Sequence, residues 1–142
     1  MQHLFVYGSL LFAELVEKLT GAKFRSVPAV LPDFRRFAVK GCDYPAIIPE
    51  NNTKTEGRLI LNVDDESMKI LAFFEGGDYI KKGVEVLAGS KKYEAIAFVW
   101  DDDLSCLEEC DWDITNFRET SLQFYVEKVA RETVKEFRDS RI

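Results

Sequence analysis

Two places in this sequence combine residue types that could do chemistry. One is Glu75, at the foot of the apolar segment "DDESMKILAFFEGG". The other is the turn Tyr7-Gly8-Ser9-Leu10, where the strand-like run "LFVY" gives way to a helical pattern. Projecting residues 68 to 75 at about 100° per residue puts Met68, Leu71 and Phe74 on an apolar side. Glu75 falls angularly between Leu71 and Met68, so it points inward. It also sits at a helix C-terminus, the unfavourable end of the dipole for an anion. A carboxyl held so has a raised pKa and is a candidate general acid–base group. The alternative is a glutamate bonded to nearby amides, to Lys81 or to Lys82. In the turn, Gly8 permits a tight bend and close approach by a ligand. The amides of Gly8, Ser9 and Leu10 open a helix, where unpaired N–H groups favour a small carboxylate. The plainer reading is that Ser9 caps the helix and Tyr7 packs in the core.

The rest of the sequence narrows the chemistry by what it lacks. His3 is the only histidine, so a Ser-His-Asp or Cys-His arrangement would depend on that one ring, far along the chain from Ser9. Tyr-Gly-Ser-Leu has one glycine and no following lysine, unlike a phosphate loop. Cys42, Cys106 and Cys110 have no zinc-like pair spacing; structural thiols are expected, with Cys106 and Cys110 able to face one another on a helix. The acid run "DDDLSCLEECDWD" lacks the ligand spacing and turn glycine of a calcium loop. No metal and no cofactor are expected. One inward carboxylate beside an amide-lined turn suits a reaction in which the substrate supplies its own nucleophile and the protein moves a proton. Intramolecular attack of an amine on an amide is such a reaction.

The elements that must position these residues can be read in outline. Leu4 to Tyr7 are apolar without alternation, as in a strand covered on both faces. Ser9 is expected to cap a helix carrying Leu11, Leu15 and Leu19 inward, with Gly21 past its end. Residues 23–40 read as short strands interrupted by Pro28 and Pro32, and residues 44–52 as a proline-bracketed loop. A strand follows over 56–63, then a helix capped by Asp64 or Asp65 and ended by Gly76-Gly77. Two strands, about 79–87 and 93–100, form a hairpin. Thr120 to Gln123 has a reciprocal cap pattern that opens a last helix with Leu122, Val126, Val129, Ala130, Thr133 and Phe137 on one face. The expected class is α+β: a small mixed, curled sheet or barrel with about three outer helices.

With no repeat or linker-like stretch, 1–142 is expected to be one domain. Eighteen aromatic residues (11 Phe, 5 Tyr, 2 Trp) suit a packed core or a lined pocket. A formal charge of −6 argues against nucleic acid as the main partner. No apolar run approaches a membrane span and the N-terminus lacks a signal-peptide layout, so no membrane partner and a cytoplasmic location are expected. Nothing in the sequence bears on oligomeric state.

Four stretches, in this order, carry a resemblance: "FVYGSLL", "YPAIIP", "LAFFEGGDYIKKGVEV" and "DWDITNFRETSLQFYV". Together, from residue 4 to about 126, they resemble the γ-glutamylcyclotransferase-like superfamily, in its AIG2-like branch. The resemblance implies a barrel-like mixed fold and a cavity floored by the Tyr-Gly-Ser-Leu loop. It also implies metal-independent cyclisation of a γ-glutamyl amine or γ-glutamyl amino acid to 5-oxoproline, a transferase or lyase reaction. Carried across, Glu75 is the acid–base group, and Tyr7, Gly8, Ser9 and Leu10 hold the γ-glutamyl α-carboxylate. Tyr79 lines the cavity, with Tyr44 and Tyr125 as further pocket residues. One departure stands out: relatives often carry arginine after the tyrosine, where this chain has Ile80, Lys81 and Lys82. Lysine keeps the charge but loses the planar fork. Two other readings use the same residues differently. A binding module would hold a small carboxylate in the same cavity without turnover. An interaction domain would use the acidic 101–113 loop and the charged last helix, with the Gly8 loop packed shut.

Overall fold

The computed structural model describes residues 1–141. Five strands close into a barrel in the order β1-β3-β2-β4-β5. They are β1 (Gln2–Val6), β2 (Ser26–Ala38), β3 (Pro45–Val63), β4 (Tyr79–Ala88) and β5 (Lys91–Trp100). Two antiparallel hairpins, β2–β3 and β4–β5, supply most of the pairing. β1 joins them, antiparallel to β3 and parallel to β5 where Leu4 meets Ile96. The barrel of a mixed α+β fold is thus the expected one.

Leu4, Phe5, Val6 and Tyr7 are all buried, as an unalternating apolar run requires. Phe5 and Tyr7 point into the barrel with Leu31, Ile47, Leu59, Val86 and Ala97. Leu4 and Val6 point outward with Ile60 and Val63, against Leu15, Val16, Met68, Leu71 and Phe117 of the helices. One short strand therefore divides the protein into a barrel core and a helix-covered core.

The helices are α1 (Ala13–Thr20), α2 (Asp65–Glu75), α3 (Ile114–Thr120) and a C-terminal run. That run comprises α4 (Leu122–Phe124), a π turn (Tyr125–Val129) and α5 (Ala130–Asp139). α2 starts as its sequence dictates: Asp64 accepts the Ser67 amide at 3.1 Å, with Asp65 and Glu66 in the first turn. It ends at Gly76, whose φ of 85° only glycine adopts without strain.

Several boundaries differ from the sequence reading. Ser9 does not cap α1; it opens a separate 3₁₀ turn, Ser9–Leu11, and α1 begins after Phe12 with no side-chain cap. Pro28 and Pro32 do not break the strand. β2 is continuous and meets β4 only at Val30, so its second edge is nearly unpaired and missing N–H groups cost little there. The chain from Pro45 to Asn52 is strand rather than loop, because Pro45 to Pro49 pair with Ala38 to Phe34 across a bulge at Asp33. Thr120 closes α3 instead of capping the last helix; its hydroxyl bonds back to Asn116 O at 2.7 Å. Cys106 lies in a 3₁₀ turn (Leu104–Cys106) and Cys110 in the loop beyond, so the two share no helix. Cys42 and Cys110 are exposed thiols. Among the described residues no helix is long and apolar enough to cross a membrane.

Candidate active site

Where β1 leaves the barrel, the chain turns sharply because Gly8 lies against Pro45. A Cβ at Gly8 would come within 2.8 Å of the proline ring, so no larger residue fits without displacing one of them. The 3₁₀ turn that follows makes its first hydrogen bond from the Leu11 amide to Gly8 O, at 2.9 Å. The amides of Gly8, Ser9 and Leu10 donate none to the described residues. Arg36 of β2 fixes the turn from outside: its Nη1 donates to Tyr7 O at 2.8 Å, while Nε and Nη2 hold Asp111 at 2.8 and 3.2 Å.

This turn floors a cavity of about 260 Å³. Tyr7, Gly8, Ser9 and Leu10 line it together with Glu75, Tyr79, Tyr44 and Tyr125, so every site residue expected from the sequence meets there. Phe5, Val6, Pro45, Phe74, Phe98 and Val129 complete its apolar wall, Thr133 adds a hydroxyl and Asp78 a second carboxylate. The cavity beside Glu75 is open, and the Gly8 loop is not packed shut as an interaction domain would have it.

Glu75 is delivered by the last residue of α2. Leu71 and Met68 beneath it are buried, and Phe74 packs edge-on against Tyr125 at 6.3 Å. Its carboxyl has no hydrogen-bond or ion-pair partner among the described residues, neither lysine included. Lys82 instead lies over the Phe34 ring, 6.0 Å from its centre. Burial pushes the Glu75 pKa up to about 8, and the helix C-terminus acts in the same sense. Near neutrality this carboxyl can therefore both take and return a proton.

The surrounding hydroxyls are held in one sense. Tyr7 donates to Phe98 O at 2.6 Å, Tyr79 to Pro45 O at 2.7 Å and Tyr125 to the Asp43 carboxylate at 2.6 Å. Burial raises the pKa of all three, so they stay protonated. With each proton committed to the protein, these oxygens can only accept from a ligand. Tyr44 is also pushed upward, by the Cys42 thiol beside it and by burial. Asp43 is anchored in turn by Trp112, whose Nε1 donates to its carbonyl at 2.8 Å.

Sequence reasoning missed Arg36, Asp43, Asp78, Phe98 and Thr133. Asp43 and Asp78 immediately precede Tyr44 and Tyr79, and that adjacency was the available signal. Arg36 carries no local signal, since it reaches Tyr7 past β3, from a strand that β1 does not pair with. His3 lies at the opposite end of β1, where its Nδ1 accepts the Asn62 amide at 3.1 Å. Among the described residues no cluster of His, Cys, Asp and Glu is arranged to hold a metal ion.

Comparison with known proteins gives a consistent picture. The family model described as "Gamma-glutamyl cyclotransferase, AIG2-like" matches residues 4–114. AIG2-like protein D of Arabidopsis thaliana is 32% identical over 96% of this chain and 91% of its own. AIG2-like protein C of the same plant is 36% identical over 87% and 73%. A solution structure of an Arabidopsis thaliana protein superimposes with a TM-score of 0.70 at 29% identity, covering 92% of this chain and 81% of that one. A structure titled gamma-glutamyl cyclotransferase shares the fold, with a TM-score of 0.61 at 16% identity over 95% and 98%.

Proposed function

The chain belongs to the gamma-glutamyl cyclotransferase, AIG2-like family, and from that premise we propose that it cyclises a γ-glutamyl amine or γ-glutamyl amino acid to 5-oxoproline, releasing the amine. The observation that carries this reading is the unpartnered Glu75 carboxyl facing a cavity floored by unpaired amides. Among the described residues no lysine, arginine or histidine lines that cavity. An α-carboxylate bound there would therefore rest on the amides of Gly8, Ser9 and Leu10. The α-amine would face the acceptor oxygens of the tyrosines and the carboxyl of Glu75.

The chemistry then needs no group beyond these. Glu75 as carboxylate takes a proton from the substrate's ammonium, and the freed amine attacks the γ-carbonyl within the same molecule. A C–N bond closes the five-membered ring. Glu75 returns the proton to the departing nitrogen as the original C–N bond breaks and the carbonyl re-forms. The second proton lost by the ring nitrogen passes through the same carboxylate to the released amine, which leaves as an ammonium. The attack is unimolecular from the outset; confining both ends of the γ-glutamyl group holds the amine against the carbonyl in the reactive geometry. Proton transfer by Glu75 supplies a further factor of about 10²–10⁴.

The test is 5-oxoproline release from a panel of γ-glutamyl amines and γ-glutamyl amino acids, with wild type beside Glu75→Gln. Release by wild type alone supports both the reaction and the proton carrier. Equal release by the variant overturns the role of Glu75. Thermal protection by a panel member without product would favour a binding module that uses the same cavity.

A further inference from the structure

A second cavity, of about 270 Å³, lies behind the first. Val6 and Leu10 belong to the walls of both, so the two are back to back across the end of β1 and the 3₁₀ turn. The second is bounded by α1, by the α1–β2 connector and by the outer face of β3. Its wall is mainly apolar: Val6, Leu10, Val16 and Ile60 are buried, while Leu11 and Phe24 are only partly covered.

One charged group enters this wall from the barrel. Arg58 stands opposite Val6 on β3, and Ser26 holds two of its nitrogens. Nε donates to Ser26 Oγ at 2.9 Å and Nη2 to Ser26 O at 3.1 Å. Nη1 donates to no described residue, and among the described residues no carboxylate lies within ion-pair distance of the guanidinium. Glu17 and Lys23, the other charged lining residues, are both exposed and offset one another, so the cavity carries one net positive charge.

We propose that this cavity is a second ligand site, taking a small carboxylic acid with an apolar body. A guanidinium already oriented by two bonds presents its remaining edge to a carboxylate with little ordering cost. The apolar wall is large enough for the body, since an apolar cavity of about 150 Å³ already admits benzene. The inference does not depend on the reaction proposed above, because Arg58 and the α1 wall have no part in it and Leu10, which lines both cavities, serves the first only through its backbone amide.

The experiment titrates ¹⁵N-labelled protein with 3-phenylpropionate and, separately, with its uncharged twin 3-phenylpropanamide. Saturable shifts are expected at Leu11, Val16, Lys23 and Phe24, with the acid binding about tenfold tighter than the amide. Arg58→Gln should erase that difference. Ala22→Phe, placed at the half-buried rim, should fill the cavity and abolish binding of both probes. Glu75→Gln should leave these shifts unchanged. Equal affinity for the two probes, an unchanged preference in Arg58→Gln, or shifts confined to Asp78, Tyr79 and Thr133 of the first cavity would overturn the proposal. No saturable binding at millimolar probe would also overturn it.

Discussion

At the scale of single residues, Glu75 sets function against stability. Burial pushes the pKa of its carboxyl from the ordinary 4.5 up to about 8 in the folded protein. Between those values the folded state holds more protons than the unfolded state, so stability falls as pH rises from about 5 to 8 and levels beyond. Glu75→Gln removes this dependence. It should raise stability at pH 7 by about 1–3 kcal/mol, read from urea unfolding at several pH values, while lowering kcat by about 10²-fold or more. In the wild type, kcat/KM should climb through pH 6 to 8 as the carboxyl ionises. A flat profile would place the proton transfer elsewhere. Gly8 is constrained by space. In Gly8→Ala the new methyl meets the Pro45 ring, so the variant should raise KM severalfold and lose about 1–3 kcal/mol. A Gly8→Ala crystal structure with an undisturbed turn would contradict this.

At the scale of elements, the site depends on contacts that run between parts of the chain far apart in sequence. Arg36 of β2 bonds the carbonyl of Tyr7 and grips Asp111 from before α3. Arg36→Met should loosen the turn and raise KM more than it lowers kcat, with a stability loss of about 1–3 kcal/mol. A fall in kcat at constant KM would show that the turn acts in the chemical step instead. These distances mark the limits of what the sequence discloses. α2 and its terminal glutamate were legible, because helix period, cap and stop residues are all local. β2 and β3 were not. Pro28, Pro32, Pro45 and Pro49 read as interruptions, yet a strand with a nearly free edge tolerates missing donors, and only the pairing reveals which edge is free. The π turn that brings Tyr125 to the cavity was likewise invisible, since one surplus residue in a helix leaves the apolar pattern almost intact.

At the scale of the whole molecule, the barrel places the chemistry at one end, where β1 stops and α2 and the C-terminal helices converge. Closure requires β1 to lie close on β3. A Cβ at Gly57 would stand 2.2 Å from Val6 O and 2.8 Å from the Phe5 ring. Gly57→Ala should therefore cost about 3 kcal/mol or more and shift the urea midpoint of the entire transition, because β1 belongs to both cores. A local effect, with the midpoint unchanged, would mean the barrel can open at that seam without cost. The barrel class and eight of the pocket residues were legible from the order of four short stretches, whereas Asp78, Phe98 and Thr133 were not. The convergence of the pocket residues was not legible, because it depends on closure. The one-way orientation of the tyrosine hydroxyls has a consequence for turnover. Lone pairs and a carboxylate attract a positively charged nitrogen, and cyclisation as proposed converts that nitrogen into a neutral lactam. The reaction thus dissolves one of its two handholds: the ring keeps the carboxylate that the amides hold but loses the cation that the hydroxyls and Glu75 attract, so it is a weaker rival for the next substrate.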